Sequence, residues 1–501
     1  MAAGTEAKFP APVSVDWEPG RFVLAESEAA HRESGNRAAG LRIMNLRFRQ
    51  IWERVRSSYW FVPSVMSSLA ALLAVGLFLV DKKAREQYLP FLSDLYVMDA
   101  PGAQAILSTL ASSAITVAGV VFSIAMLVLS NASAQFGPRL LPNFMRQGGT
   151  QVVLGGFIGT FVYCIIVLTR VRATEDGAGI PHLSVSVALL FGVLSFGLLI
   201  YFIHRVAFFI QAPNVVEYVG SRLIETFAGL FPASPDGGRD DPSQDGWEPP
   251  PDLWDRAKSI PAPGNGYLEA IELERLQKIA EKYDLLLCLK KRPGQFVVAG
   301  HVLALAYPRE AVSDAIAADI VKAFLLGRQR TLIQDAEFAI EQLVEVAVRA
   351  LSPGINDPFT AINCIDWLGA ALSFLAGREL ASPLRRAAGG RVRVVTDPYT
   401  YAGILDAAFN PLRQNARTNE AVSIRLMDMI GLLAEGDLPP AYRDALERHA
   451  RLIHRDAGAR FPDGRDRADL EERYGRVARA MREQRLAERT KKAGDDGGVC
   501  R

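Results

Sequence analysis

The chain has 501 residues, with 56 lysines and arginines against 55 aspartates and glutamates, so its charges nearly cancel and no global field points to nucleic acid or to acidic substrates. Half of its residues are apolar and its mean hydropathy is +0.12, which suits a membrane protein carrying a soluble part better than one small soluble domain. Four scattered cysteines, Cys164, Cys288, Cys364 and Cys500, form no CxxC pair, so neither a zinc site nor a disulfide framework is expected, and no metal or cofactor is implied.

Residues 1–40 lack a basic head followed by an apolar run, which predicts a disordered tail rather than a cleaved signal peptide. From Leu41 to Phe61, Leu41, Met44, Phe48, Ile51, Trp52, Val55 and Tyr59 recur at helical spacing with arginines between them. That pattern predicts an interfacial amphipathic helix over 41–61 whose aromatic end lies at headgroup level.

Four uncharged runs follow, Val62–Val80, Ala103–Ser130, Val152–Leu168 and Leu183–Ile203. Each is long enough to cross a hydrocarbon core of about 30 Å at roughly 1.5 Å per residue, so 62–210 is expected to be a four-helix transmembrane domain. With the N-terminus inside, the inner flanks hold Arg42, Arg47, Arg49, Arg54, Arg56, Arg139, Arg146, Arg205 and Arg222, and the outer loops only Lys82, Lys83, Arg85, Arg170 and Arg172. This bias predicts a multi-pass protein of the inner (plasma) membrane with both termini cytoplasmic.

The four runs contain no Asp, Glu, Lys or Arg, which disfavours a carboxylate-driven pump. The second carries small or polar residues at Ala105, Thr109, Ser112, Thr116, Gly119, Ser123 and Ser130, all on one helical face. Such a face serves either close helix packing or a hydrated path with Thr109, Ser112, Thr116 and Ser123 as its lining. Gly155 and Gly159 in the third run form a GxxxG pair, which more often means packing. The loop Asn131–Thr150 is apolar for a loop and is expected against the membrane or the soluble part. Gln135 and Arg139 stand at the inner end of the second run, as an inner gate or, for Arg139, as a topology anchor.

Residues 211–266 read as a helix leaving the bilayer, then a Pro/Gly/Asp-rich linker. Over 267–430 a cytoplasmic α+β domain is expected: GYLEAIEL, DLLLCLKK, GQFVVAG and HVLALAYP read as strands around the helix ERLQKIAEKYD, with His301 as a core or edge residue. Ala311–Leu326 reads as a helix. A more strongly patterned stretch follows from Thr331 to Ala376. Its first helix buries Leu332, Ala336, Ile340, Leu343, Ala347 and Leu351, while Glu337, Glu341 and Glu345 recur at i, i+4 and i+8, with Glu345 placed to pair with Arg349. The acidic row suits a solvated face or one turned to a cation path or a partner. Pro353 and Gly354 stop this helix; Asn356 and Asp357 could bind a ligand, but Asp357 as N-cap with Pro358 at the first helical position accounts for Asp357 and predicts a fixed structural elbow. The second helix, Pro358–Ala376, is apolar enough to resemble a fifth span, but Asn363 and Asp366 near its middle favour a buried soluble helix.

Arg391–Thr396 reads as a strand and Ala402–Phe409 as the start of a helix. Residues 431–490 are charged and helical, with His449 and His454 expected on the surface and Leu470, Tyr474, Val477 and Met481 forming a short docking or self-association seam. Residues 491–501 read as a tail.

There is no Walker loop, dinucleotide fingerprint, HExxH, GxSxG or CxxC, so no enzyme is proposed by the sequence. The segments QFGPRLL, QVVLGGFIGTFVY and QDAEFAIEQLVEVAVRALSPGINDPFTA occur in this order. On them the chain resembles, over roughly residues 45–430, the bacterial predicted membrane proteins grouped as domain of unknown function 2254. The resemblance implies an integral membrane protein with a cytoplasmic domain and carries no activity. Together these features predict a membrane α-helical fold plus a cytoplasmic α+β domain. They favour a homo-oligomeric ion channel or passive transport protein gated or assembled by that domain. The alternative is a membrane-anchored sensor or scaffold whose soluble domain binds a protein or small-molecule partner. The lipid bilayer is the one partner the composition names.

Overall fold

The computed structural model describes residues 60–86, 99–140, 148–171, 180–231, 247–387, 389–436 and 438–496. The tail expected at 1–40, nearly all of the interfacial helix expected at 41–61, residues 232–246 of the linker and the last residues of the chain lie outside them. Among the described residues five helices are long and apolar enough to cross a membrane: Phe61–Asp81, Ala100–Phe136, Gly149–Leu168, His182–Phe208 and Pro358–Ala376.

The first four form an apolar bundle: α1 (Phe61–Glu86), α2 (Ala100–Phe136), α3 (Gly148–Leu168) and α4 (His182–Ile210). α3 is the most enclosed, packed by α1, α2 and α4. Its GxxxG pair makes that packing: a Cβ on Gly155 would lie 2.7 Å from the Met66 sulfur and 3.1 Å from the Pro63 backbone of α1. At the other end of α1, Asp81 is buried and caps α4. Its carboxylate accepts from the Leu183 and Ser184 amides at 3.1 Å and from the Ser184 hydroxyl at 2.6 Å, which satisfies orphan donors of the helix start and places negative charge at its positive end.

The chain breaks at Gln211, whose extended backbone precedes α5 (Ala212–Leu230). Pro213 sits in the first turn of α5, where its missing N–H costs nothing, and the Asn214 side-chain amide donates to the Phe208 carbonyl at 2.8 Å. After the short α6 (Leu253–Arg256) come β1 (Lys258–Pro261), β2 (Gly266–Ile271), α7 (Leu273–Lys282), β3 (Leu286–Leu289), β4 (Phe296–Val297), β5 (Val302–Tyr307), α8 (Asp314–Val321) and β6 (Phe324–Gly327). Two sheets result, in the orders β1-β5-β3-β8-β7 and β4-β2-β6, where β7 is Leu384–Arg386 and β8 is Val392–Val395. All pairings are antiparallel except β3 with β8. The helix expected over 311–326 is shorter: Ser313 caps α8, and Phe324–Gly327 is a strand because its apolar residues pair with β2 in register Leu268↔Leu326 and Ile271↔Phe324.

The remaining helices are α9 (Ala336–Ala350), α10 (Pro358–Ala376), α11 (Tyr401–Ala416), α12 (Glu420–Ala434), α13 (Pro440–Gly458) and α14 (Gly464–Asp496). With α5 they enclose one hydrophobic core. α10 lies within it, against α5, α9 and α12, and its Asp366 pairs with Arg425 at 2.6 Å. Leu470, Val477 and Met481 of the C-terminal seam are buried in the same core, so the seam docks within the chain. His449 is fully buried rather than exposed: it shares a helical face with Leu446, Ala450 and Ile453, its ring lies against Phe409, and its Nε2 is 3.0 Å from Asp406. His301 is exposed in the turn that leads into β5.

Candidate functional site

α2 spans 37 residues, or about 55 Å at roughly 1.5 Å per residue, and so outruns a bilayer core. Its last turns are not the loop expected from Asn131 onward. The apolar period continues through Ala132 and Phe136, and these side chains, with Leu140, enter the core built by α5 and α9–α14. The helix stops at Gly137, whose φ of +104° is disfavoured for other residues, before Pro138. A Cβ there would also stand 2.4 Å from Glu345 Oε1, so any other residue would displace the Glu345 side chain.

Beside this contact the acidic row of α9 meets the basic residue that follows α2. Arg139 Nη1 is 2.9 Å from Glu341 Oε2, and Arg139 Nε is 3.5 Å from Glu345 Oε2. One turn further on, Arg349 donates to the Ala134 carbonyl at 2.9 Å, placing a cation at the negative end of the α2 dipole. Residues expected separately as an inner gate and as an acidic face therefore form one joint. Gln135 is exposed beside it.

The other carboxylates are also engaged. Arg330 reaches Asp335 at 2.7 and 2.9 Å and Glu341 at 2.8 Å; Arg292 reaches Glu337 at 2.5 Å. Asp335 in turn caps α9 through the Phe338 amide at 2.9 Å, and the Tyr399 hydroxyl ties the same turn by accepting from the Ala336 amide and donating to the Gln334 carbonyl. Burial raises the Glu337 carboxyl above the usual range despite Arg292, and raises that of Glu345 despite Arg139. Burial works against the charge of Arg330, but Asp335 and Glu341 outweigh it and hold the guanidinium firmly protonated. Each carboxylate of the row is thus paired with an arginine of this chain.

The hydroxyl stripe of α2 has a different setting. Ala105, Thr109, Ser112, Thr116, Gly119, Ser123 and Ser130 are all exposed, while Ala103, Leu107, Ala111, Ala114, Ala118 and Val121 face the bundle. Thr109, Thr116 and Ser123 donate to the carbonyls of Ala105, Ser112 and Gly119 at 2.7–2.9 Å, so these hydroxyls are satisfied along their own helix.

At the elbow, Asp357 caps α10 by accepting from the Thr360 amide at 3.1 Å and its hydroxyl at 2.6 Å, with Pro358 opening the helix. Asn356 has φ +50°, a left-handed conformation that asparagine tolerates. Asp357 N donates to the Ala350 carbonyl and Asn356 N to that of Ser352. Pro353 and Gly354 are exposed. These contacts make Asp357 a capping residue.

Arg292, Arg330, Tyr399 and Asp81 carry no motif that marks them as partners of this site or of α4. Asp335 has a local signal, an acidic residue just ahead of an apolar helical run; Arg330 stands near its partners Asp335 and Glu341 in the chain, while Arg292, Tyr399 and Asp81 act on elements distant in sequence.

A family model described as predicted membrane protein, domain of unknown function 2254, matches residues 56–431. Uncharacterised proteins of Mycobacterium bovis and Mycobacterium tuberculosis are each 30% identical over 440 residues, covering 87% of this chain and 82% of the relative. No solved structure matches. By that extensive match the chain belongs to the family of predicted membrane proteins described as domain of unknown function 2254.

Proposed function

We propose that α1–α4 are four membrane spans, that both termini and the part from α5 onward are cytoplasmic in the inner membrane, and that copies of the chain assemble around α2 to form a passive path for ions or small solutes. One observation carries this reading: the face bearing Thr109, Ser112, Thr116 and Ser123 points away from the chain's own bundle, and the same helix continues unbroken into the ion-paired joint with α9. A lining helix fixed to a large domain can be moved by it, so the domain acts as gate or assembly platform. α10 is then a core helix of the domain, its carboxylate paired with Arg425 where lipid would leave it costly. Flux through purified protein in liposomes, under voltage, tension and pH steps, tests the proposal. A conductance altered by Ser112→Cys and its thiol modification is expected; no flux for any common ion under these stimuli removes the channel reading.

A membrane-anchored sensor or scaffold is the second reading, favoured by the self-satisfied hydroxyls of α2, which suit helix packing as well as a wet path. It predicts normal assembly and domain–ligand or domain–protein binding with no flux.

A further inference from the structure

The elbow between α9 and α10 carries two apolar side chains that its own turn does not need. Phe359 is 80% exposed and Ile355 44% exposed, at the tip of an otherwise well-packed helix pair. Two independent registers fix the height of this tip relative to the apolar bundle. α9 descends along the end of α2, Glu341 meeting Arg139, Glu345 meeting Gly137 and Arg349 meeting Ala134, so each later turn of α9 lies nearer the apolar run of α2. α10 runs parallel to α5: Gly220 abuts the Trp367 ring, and the Phe231 carbonyl accepts from Arg378, both at a sequence offset of 147. The same offset sets Pro358 level with Gln211 and Phe359 level with Ala212, where α4 gives way to α5. Phe208, in the last turn of α4, is itself exposed.

We propose that the elbow is a membrane-interface contact, with Ile355 and Phe359 seated at the boundary of headgroups and acyl chains of the leaflet on the α9 side. This rests on the membrane placement of α1–α4 but not on any conduction. The turn is built for that depth. Ser352, Ile355, Asn356 and Asp357 donate their amides to carbonyls within the elbow, and the Asp357 carboxylate is spent on Thr360, so little unsatisfied polarity would enter the interface. An apolar tip of this kind partitions into the boundary region. The elbow would thereby hold the far end of the α2–α9 joint against the bilayer, making the domain responsive to lipid packing.

The test is site-directed spin labelling of the full chain in phosphatidylcholine/phosphatidylglycerol liposomes, with Cys500→Ser to remove a competing thiol. Labels go at Ile355→Cys and Phe359→Cys, with Phe208→Cys as the membrane reference and Ala381→Cys, at the opposite end of α10, as the aqueous reference. Labels at 355 and 359 are expected to favour collision with oxygen over a water-soluble nickel chelate, as at 208 and unlike 381, at a depth of about 5–10 Å. Water-like access at 355 and 359 with lipid-like access at 208 would overturn the proposal, as would shielding from both probes, which would mean protein cover. Water-like access at 208 would overturn the membrane placement itself and this contact with it.

Discussion

Arg139 and Arg330 approach the same carboxylate, that of Glu341, at 2.9 and 2.8 Å, so a single acidic side chain of α9 joins the end of α2 to the segment that precedes α9. The two arginines are unequal. Arg139 is 47% exposed at the side chain and Arg330 17%. Arg139→Ala is therefore expected to cost no more than about 1 kcal/mol, as for an exposed pair, whereas Glu341→Ala leaves the more buried Arg330 short of a partner and is expected to cost about 1–3 kcal/mol. Unfolding of the two variants in detergent micelles measures the difference; equal losses would show that the joint, not Arg330, carries the stability.

The pH response of the joint has a definite sign. Burial raises the Glu345 carboxyl in the folded protein, so the proton is held more tightly folded than unfolded. The stability this contributes is fully present below the unfolded value of about 4.3 and is lost as pH rises through the raised folded value. Glu345→Gln is expected to flatten this dependence and to match the parent chain most closely at the acidic end. Thermal midpoints of both proteins between pH 4 and pH 8 provide the check, and a gap that widened toward low pH would contradict the assignment.

α5 and α10 pack closely where Gly220 meets Trp367. An added Cβ at 220 would stand 2.6 Å from the indole ring, and a ring held between helices cannot swing away as an aliphatic tip can. Gly220→Ala is expected to destabilise by about 1–3 kcal/mol, as overpacking does, and Trp367→Leu in the same chain to recover part of that loss. Chemical denaturation of the single and double variants reads the coupling; additive losses would mean the two residues do not meet.

At the elbow, Asp357→Ala is expected to cost about 0.5–2 kcal/mol through loss of the cap. Asn356→Gly should be nearly neutral at φ +50°, while Asn356→Val should cost about 1–2 kcal/mol because a branched side chain resists the left-handed region. Hydrogen exchange of the Asp357 and Thr360 amides follows the same order. A ligand-binding role for Asp357 would instead leave these amides unchanged in Asp357→Ala.

The apolar helices and most elements of the α+β part follow from local sequence, because an uncharged run of span length or an alternating strand reports its own environment. The GxxxG pair, the Asp357–Pro358 start of α10 and the buried face of α9 are equally local. Glu337, Glu341 and Glu345 could be placed on one face of α9 from their spacing, but spacing says nothing of what stands opposite. Their partners come from the segment after α2, from Arg292 and from Arg330, and only the folded chain brings these charges together. The polar neighbours of His449 in sequence suggest a surface, while its helical face is set by Phe409 from another helix.

The sequence by itself determined that this is a membrane protein with apolar helices followed by α+β and helical parts, since burial in lipid or in a core must be written into hydrophobic length and period. The tertiary structure decided that α2 runs on into the second core, that the acidic row of α9 is ion-paired with arginines there, and that Phe359 stands level with the start of α5. Ion pairs and helix registers between distant segments depend on how the cores pack, and the packing energy that selects them is shared over many residues with no local signature.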